Sequence, residues 1–165
     1  MVTECLSENL KALPVKNSQL EAKAVSNFEG PGHLERPDYD LSDHARYLVG
    51  GDGEISVTMI DIANVRGGDI AIKIDVEGGE LNVIEGAKQT IAAADNCLIA
   101  FEAHPNVSRR TGRDPLDCLK FLESIRPFTF SIAETGHVPS SRHPILNYGQ
   151  TDVWNVIAIT KTKPF

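Results

Sequence analysis

Two short segments hold most of the side chains able to do chemistry. One is Asp75-Val76-Glu77-Gly78-Gly79-Glu80, the other Glu102-Ala103-His104-Pro105. In the first, three carboxylates within six residues suit an acidic pocket for a cation, a metal or sugar hydroxyls, or a general base. The same acids would equally serve a solvated loop running into a helix N-terminus. In the second, Glu102 and His104 offer a base or a metal ligand, or a simple loop cap. Asp75, His104 and Glu102 are the catalytic candidates. Asp75 with Glu102 is the candidate divalent-metal pair. Lys73, two residues before Asp75, reads as its ion-pair partner.

Other reactive residues form no recognisable set. His33, His44, His137 and His143 have no partners at ligand spacing and read as surface loop residues. Cys5, Cys97 and Cys118 are an odd number at irregular spacing, with no CxxC pair, and read as reduced thiols. Gly50-Gly51-Asp52-Gly53 runs into a strand rather than a helix, so it lacks the context of a dinucleotide loop. Gly78-Gly79 does lie between a strand and a helix, but the flanking acids would repel phosphate.

The elements that must position these residues are legible from their periodicity. Asp69–Asp75 and Cys97–Glu102 read as buried strands rich in β-branched and apolar residues. Between them Leu81, Ile84, Ala87 and Ile91 recur on one helical face. Gly86 inside that pattern costs about 1 kcal/mol against Ala, which points to close packing there. Asp114 and Pro115 open a further helix as N-cap and first helical residue, with Leu119, Leu122 and Ile125 on its apolar face and Pro127 beyond its end. Phe128–Ala133 and Trp154–Thr160 read as strands. Earlier, residues 19–25 give a weak strand signal and 54–60 a clearer one. Residues 28–53 hold many of the glycines and prolines and read as an irregular excursion, with one helical turn at Leu41–Tyr47, suited to a lid. Strands alternating with helices predict an α/β domain with a mainly parallel sheet. In such sheets ligands sit beyond the carboxyl ends of strands, where Asp75 and Glu102 fall.

Composition narrows the classes. The 165 residues carry 16 Lys+Arg against 23 Asp+Glu, a net charge of -7. That balance speaks against nucleic acid as a partner, since no basic stripe is present to meet phosphates. No basic amphipathic face and no apolar run of spanning length predict a membrane role. The N-terminus has no basic leader pattern, and with reduced thiols this predicts a cytoplasmic protein. The length suits a single domain over residues 1–165.

Read in order, Lys73-Ile74-Asp75-Val76-Glu77-Gly78-Gly79-Glu80-Leu81, then Val83-Ile84-Glu85-Gly86-Ala87, then Phe101-Glu102-Ala103-His104-Pro105 resembles the FkbM family of methyltransferases. The family signature is similar to KIDVEGxELxVLxGA followed by a strand ending in FExHP. Glu4-Cys5-Leu6-Ser7-Glu8-Asn9-Leu10 resembles the family's EPxPENL at the end of its second strand. Ala24-Val25-Ser26-Asn27 resembles its AVSD after the third strand, with Asn27 where Asp is usual.

The resemblance implies a Rossmann-like class I methyltransferase fold, a three-layer arrangement of one seven-stranded sheet with helices on both sides. The family's first strand and glycine loop would precede Glu4, so the sheet expected for this sequence lacks both. The implied cofactor is S-adenosylmethionine, held by Glu4 at the ribose, Ser26 and Asn27 at the adenine, and Asp75 and Glu77 beside the methyl donor. Glu102 and His104 would face the acceptor, a hydroxyl of a sugar or small metabolite, giving O-methyl transfer. The second reading is a non-catalytic remnant or dimerising module of that fold, with a homodimer as the partner. A third is an unrelated α/β carbohydrate-binding protein.

Overall fold

The structure, a computed structural model, describes residues 2–12, 14, 17–36, 46–63, 65, 67–103, 114–136 and 153–160. Helix α1 spans Val2–Ala12. Strands β1 (Ala24–Val25), β2 (Gly30–Glu35), β3 (Tyr47–Gly50) and β4 (Ile55–Thr58) form a first sheet in the order β1-β4-β2-β3. A single 3-10 turn, Ile60–Ile62, leads to β5 (Asp69–Ile74), α2 (Glu80–Glu85), α3 (Lys88–Ala93), β6 (Asn96–Ala103), α4 (Leu116–Ile125), β7 (Phe128–Ile132) and β8 (Trp154–Thr160). The second sheet has the order β5-β6-β8-β7.

In the second sheet β5 and β6 run parallel, in register from Asp69↔Asn96 to Ile74↔Phe101. Strand β8 is antiparallel to both β6 and β7. The expected mainly parallel single sheet is thus corrected to two mixed sheets. The parallel neighbours are β5–β6, crossed over by α2 and α3, and β1–β4, crossed over by the segment that holds β2 and β3; the other pairs are antiparallel.

Burial alternates along the strands. Cys97, Ile99, Phe101 and Ala103 of β6 are buried, as are Phe128, Phe130 and Ile132 of β7 and Val156 and Ala158 of β8. The strand face is joined in one core to Val83 and Ile84 of α2, Ile91 of α3 and Leu119 and Leu122 of α4. Ile99, Phe101 and Leu119 are completely buried, each worth roughly 1.5–3 kcal/mol of apolar transfer. The opposite face carries Ala71, Lys73, Leu98, Thr129 and Ile159, all exposed. Helices on both faces were expected; among the described residues they cover one. Helix α1 presents no buried residue among those whose side chains are described.

The stretch 28–53 is not one irregular excursion. Its described parts form β2 and β3, paired antiparallel from Gly32↔Gly50 to Glu35↔Tyr47. Gly32 is required there because a Cβ would meet the Val49 carbonyl oxygen and Val57 Cγ2 at 2.9 Å each. The helical turn expected at Leu41–Tyr47 lies outside the described residues except for 46 and 47, and Tyr47 begins β3. The weak strand at 19–25 is reduced to Ala24–Val25. The helical pattern through Ile91 is split at Gly86-Ala87 into α2 and α3.

Helix α4 follows its sequence signals closely. The Leu116 N–H donates to Asp114 Oδ1 at 2.9 Å, and the Asp114 N–H donates back to Asp117 Oδ2 at 3.2 Å. This is a reciprocal capping box. No helix among the described residues is long and apolar enough to cross a membrane.

Candidate functional site

The register of β5 against β6 determines the site. Ile74 pairs with Phe101, so the next residue along each strand brings Asp75 beside Glu102. The chain then turns sharply. Glu77 has φ 51° and Gly78 φ 106°, and the Gly79 N–H donates to the Val76 carbonyl at 3.3 Å. A left-handed Glu costs about 1–2 kcal/mol, and here it folds the Glu77 carboxylate back over the strand ends. Asp75, Glu77 and Glu102 each bring a carboxylate oxygen within 4.8 Å of the other two. Asp75 is exposed, whereas Glu77 and Glu102 are half-buried. Lys73 Nζ lies 3.7 Å from Asp75 Oδ2, the ion pair expected from the sequence.

Glu80 stands behind this group. It is buried at the start of α2, and its Oε1 accepts the Gly78 N–H at 3.0 Å. Burial pushes its carboxyl above the ordinary carboxylate range; the Gly78 N–H opposes the shift, and the charges of Glu102 and Glu77 reinforce it. The group as a whole is a concentration of negative charge with one exposed member. It suits a cationic ligand, a divalent ion, or hydroxyl groups held by acceptor oxygens.

A crevice adjoins the carboxylates at Gly78. It is lined by Val25, Ser26, Tyr47, Leu48, Val76, Gly78, Gly79 and Asn82. Its walls come from the first sheet, from the turn after β5 and from the first turn of α2. The Ser26 N–H extends the β1–β4 ladder by donating to the Thr58 carbonyl at 2.9 Å, which holds Ser26 buried at the crevice wall. Asn82 Oδ1 is buried and accepts no hydrogen bond within the described residues. A buried acceptor left unpaired costs roughly 1–3 kcal/mol, which a ligand N–H or O–H would relieve. Asn82 was not singled out from sequence, since a polar residue in mid-helix reads as solvent-facing.

The sequence-predicted residues divide as follows. Asp75, Glu77 and Glu102 come together, and Ser26 lines the neighbouring crevice. Asn27 is exposed, and its Nδ2 donates to Glu85 Oε2 at 2.6 Å rather than lining the crevice. Glu4 was expected at a strand end; it lies in the first turn of α1, exposed, in neither the carboxylate group nor the crevice. Residues 2–12 have the period of an amphipathic helix, so local pattern prevails over the motif likeness. His104 lies outside the described residues, as do His44, His137 and His143. His33, expected in a loop, sits in β2, where its Nε2 is 3.1 Å from Glu35 Oε1. The hydrogen bond from His33, then that from Tyr47, holds the Glu35 carboxyl below the ordinary range.

Comparison with known proteins adds one match. The family model described as the methyltransferase FkbM domain fits residues 21–130. That is more than half of the chain, and the chain therefore belongs to the FkbM methyltransferase family. The matched span contains Ser26, Asn27, Asp75, Glu77 and Glu102 and excludes Glu4. No curated protein and no solved structure matches the chain.

Proposed function

We propose that this chain is an S-adenosylmethionine-dependent O-methyltransferase acting on a hydroxyl of a sugar or small metabolite. The observation that carries this reading is the meeting of the Asp75, Glu77 and Glu102 carboxylates at adjoining strand ends, beside a crevice, in a chain of the FkbM family.

The residues present fit the donor in two respects. The three carboxylates match a cationic group, and the unpaired Asn82 Oδ1 matches an amino or hydroxyl donor in the crevice. Ser26 and Asn82 would hold the nucleoside part, with Glu77 and Glu102 toward the charged part. When bound, S-adenosylmethionine supplies an electrophilic methyl group on a sulfonium.

An alcohol is a weak nucleophile at neutral pH, so a base must accept its proton as the oxygen attacks. Asp75 is suited to this role because it is the exposed member of the group and can reach an incoming hydroxyl. Glu102 accepts hydrogen bonds from neighbouring acceptor hydroxyls and so orients the attacking oxygen. Such positioning supplies a large share of the barrier reduction in two-substrate transfer. His104 is the alternative base named by the sequence.

A second reading is a family fold that binds no donor. It is favoured by the placement of Glu4, the acid assigned to the ribose, on α1 away from the crevice. Isothermal titration of the chain with S-adenosylmethionine separates the two readings. Micromolar binding, weakened about tenfold by Asn82→Leu, supports the transferase. So does labelled methyl transfer to hydroxylated acceptors that is lost in Asp75→Asn. Absence of binding at millimolar donor overturns the transferase and leaves the second reading.

A further inference from the structure

Ser26, just after β1, and Asn82, on α2, both belong to the crevice wall. Glu85 follows Asn82 by three residues, so the two share one face of the helix. There Glu85 meets the residue next to Ser26. Asn27 Nδ2 donates to Glu85 Oε2 at 2.6 Å, across 58 residues of sequence. The other end of the same amide, Asn27 Oδ1, accepts the Ser26 hydroxyl at 3.4 Å. The chemistry of the partners sets both directions. A carboxylate oxygen accepts, so the amide must turn its N–H donors toward Glu85. An amide oxygen accepts too, so the proton between Ser26 and Asn27 comes from Ser26.

We infer that Asn27 is a positioning residue of the crevice: it ties the end of β1 to α2 through Glu85 and fixes Ser26 Oγ as a hydrogen-bond acceptor toward the ligand. This rests on the reading of the crevice as the donor's nucleoside site. Asn27 does not line the crevice itself, so it acts through Ser26 and through the spacing of β1 from α2.

The backbone around this bond forms a close joint. The Ser26 N–H donates to the Thr58 carbonyl at 2.9 Å, and the Ser26 carbonyl oxygen lies against Gly86, the residue after Glu85. Those contacts seat the main chain and leave the Ser26 hydroxyl free to turn. Asn27 removes that freedom. Ser26 is buried, and a buried hydroxyl takes a protein partner where water does not reach. Its single proton is committed to Asn27 Oδ1. Ser26 Oγ and the buried Asn82 Oδ1 therefore both meet a ligand as acceptors. Such a pair favours a ligand group rich in N–H or O–H donors and disfavours a carbonyl or phosphate oxygen at the same place. Asn27 is itself exposed, so core packing does not account for its two bonds. Its bond to Glu85 has a carboxylate acceptor, which makes it stronger than an amide–amide bond.

Four proteins test the inference in calorimetric titration with S-adenosylmethionine: the wild-type chain, Asn27→Asp, Glu85→Gln and the double variant. Asn27→Asp keeps the side chain's shape but sets a carboxylate against Glu85. The joint should open, and donor affinity is expected to fall about tenfold. Glu85→Gln keeps an acceptor for Asn27 and should change affinity by no more than about threefold. In the double variant the introduced amide donates to the introduced carboxylate, which still accepts the Ser26 hydroxyl. Affinity is expected to return to within about threefold of wild type. In turnover assays the loss in Asn27→Asp is expected in the donor KM and not in kcat, which a mere loss of folded protein would lower. Without ligand, deuterium exchange at the Ser26 amide should quicken in Asn27→Asp and recover in the double variant.

An Asn27→Asp variant that binds donor as tightly as the wild type overturns the inference. So does a double variant that recovers nothing, or a loss confined to kcat. A wild-type chain that binds no donor overturns the nucleoside reading of the crevice instead. The Ser26 amide then decides the joint: faster exchange in Asn27→Asp, reversed in the double variant, supports it, and exchange indifferent to Asn27→Asp overturns it.

Discussion

The carbonyl oxygen of Ser26 occupies the space that a side chain on Gly86 would need: a Cβ there would lie 2.0 Å from that oxygen. The backbone of Gly86 is ordinary helical, with φ -72°, so contact and not conformation demands glycine. Gly86→Ala must push the first sheet away from α2. A loss of about 1–3 kcal/mol is expected, measured by urea unfolding. Because Ser26 lines the crevice, the variant should also weaken whatever ligand the crevice binds.

Glu80 makes stability depend on pH in a defined direction. Its folded-state carboxyl is raised above the ordinary 4.5, chiefly by burial. The folded state therefore holds this proton to higher pH than the unfolded state does. Its contribution to stability is full below pH 4.5 and is lost as pH rises through the folded value. Glu80→Gln keeps an acceptor for the Gly78 N–H and removes the charge. Thermal unfolding should show the variant gaining on the wild type at pH 7 and losing that advantage near pH 4.

Asp61 joins the first sheet to the helices. Its Oδ1 accepts the Thr90 N–H at 2.7 Å and its Oδ2 the Gln89 N–H at 2.9 Å, so it caps α3 from 28 residues away in sequence. Its own N–H donates to the Gly86 carbonyl at 2.9 Å. Asp61→Ala should cost about 1–2 kcal/mol, and Asp61→Asn less, by chemical denaturation.

The three cysteines should react unequally. Cys5 is exposed, whereas Cys97 and Cys118 are buried. Burial pushes the Cys97 thiol up to about 11, and only the thiolate is nucleophilic. A chromogenic disulfide reagent at pH 8 is expected to modify Cys5 rapidly and the other two only after denaturant is added. Rapid native-state reaction of all three would contradict the packing of β6 against α4.

Much of the second sheet was legible because its strands declare themselves. Asp69–Ile74 and Asn96–Ala103 are rich in β-branched and apolar residues, although β5 is not the buried strand expected, since it buries only Ile74; Asp114-Pro115 is a strong helix start. Gly86 was suspect as a costly glycine inside a helix; close packing does demand it, although the helix breaks there. The β2–β3 pair was hidden by Pro31, Gly32 and a largely exposed pattern, since a strand that buries little shows little periodicity. The capping role of Asp61 was illegible because a cap supplied from far along the chain leaves no local spacing. The carboxylates could be read from their place at strand ends, but their approach depends on the β5–β6 register and on the left-handed Glu77. Glu4 shows the converse, a motif likeness placed on a segment whose helical period decides its structure.

The Asp61 cap also gives the molecule a built-in reporter. Amides in the first turn of a helix ordinarily exchange with solvent deuterium at once, having no partner inside the helix. The amides of Gln89 and Thr90 are shielded by a carboxylate that arrives with the first sheet. Their exchange rates therefore measure how often that sheet lifts from the helices.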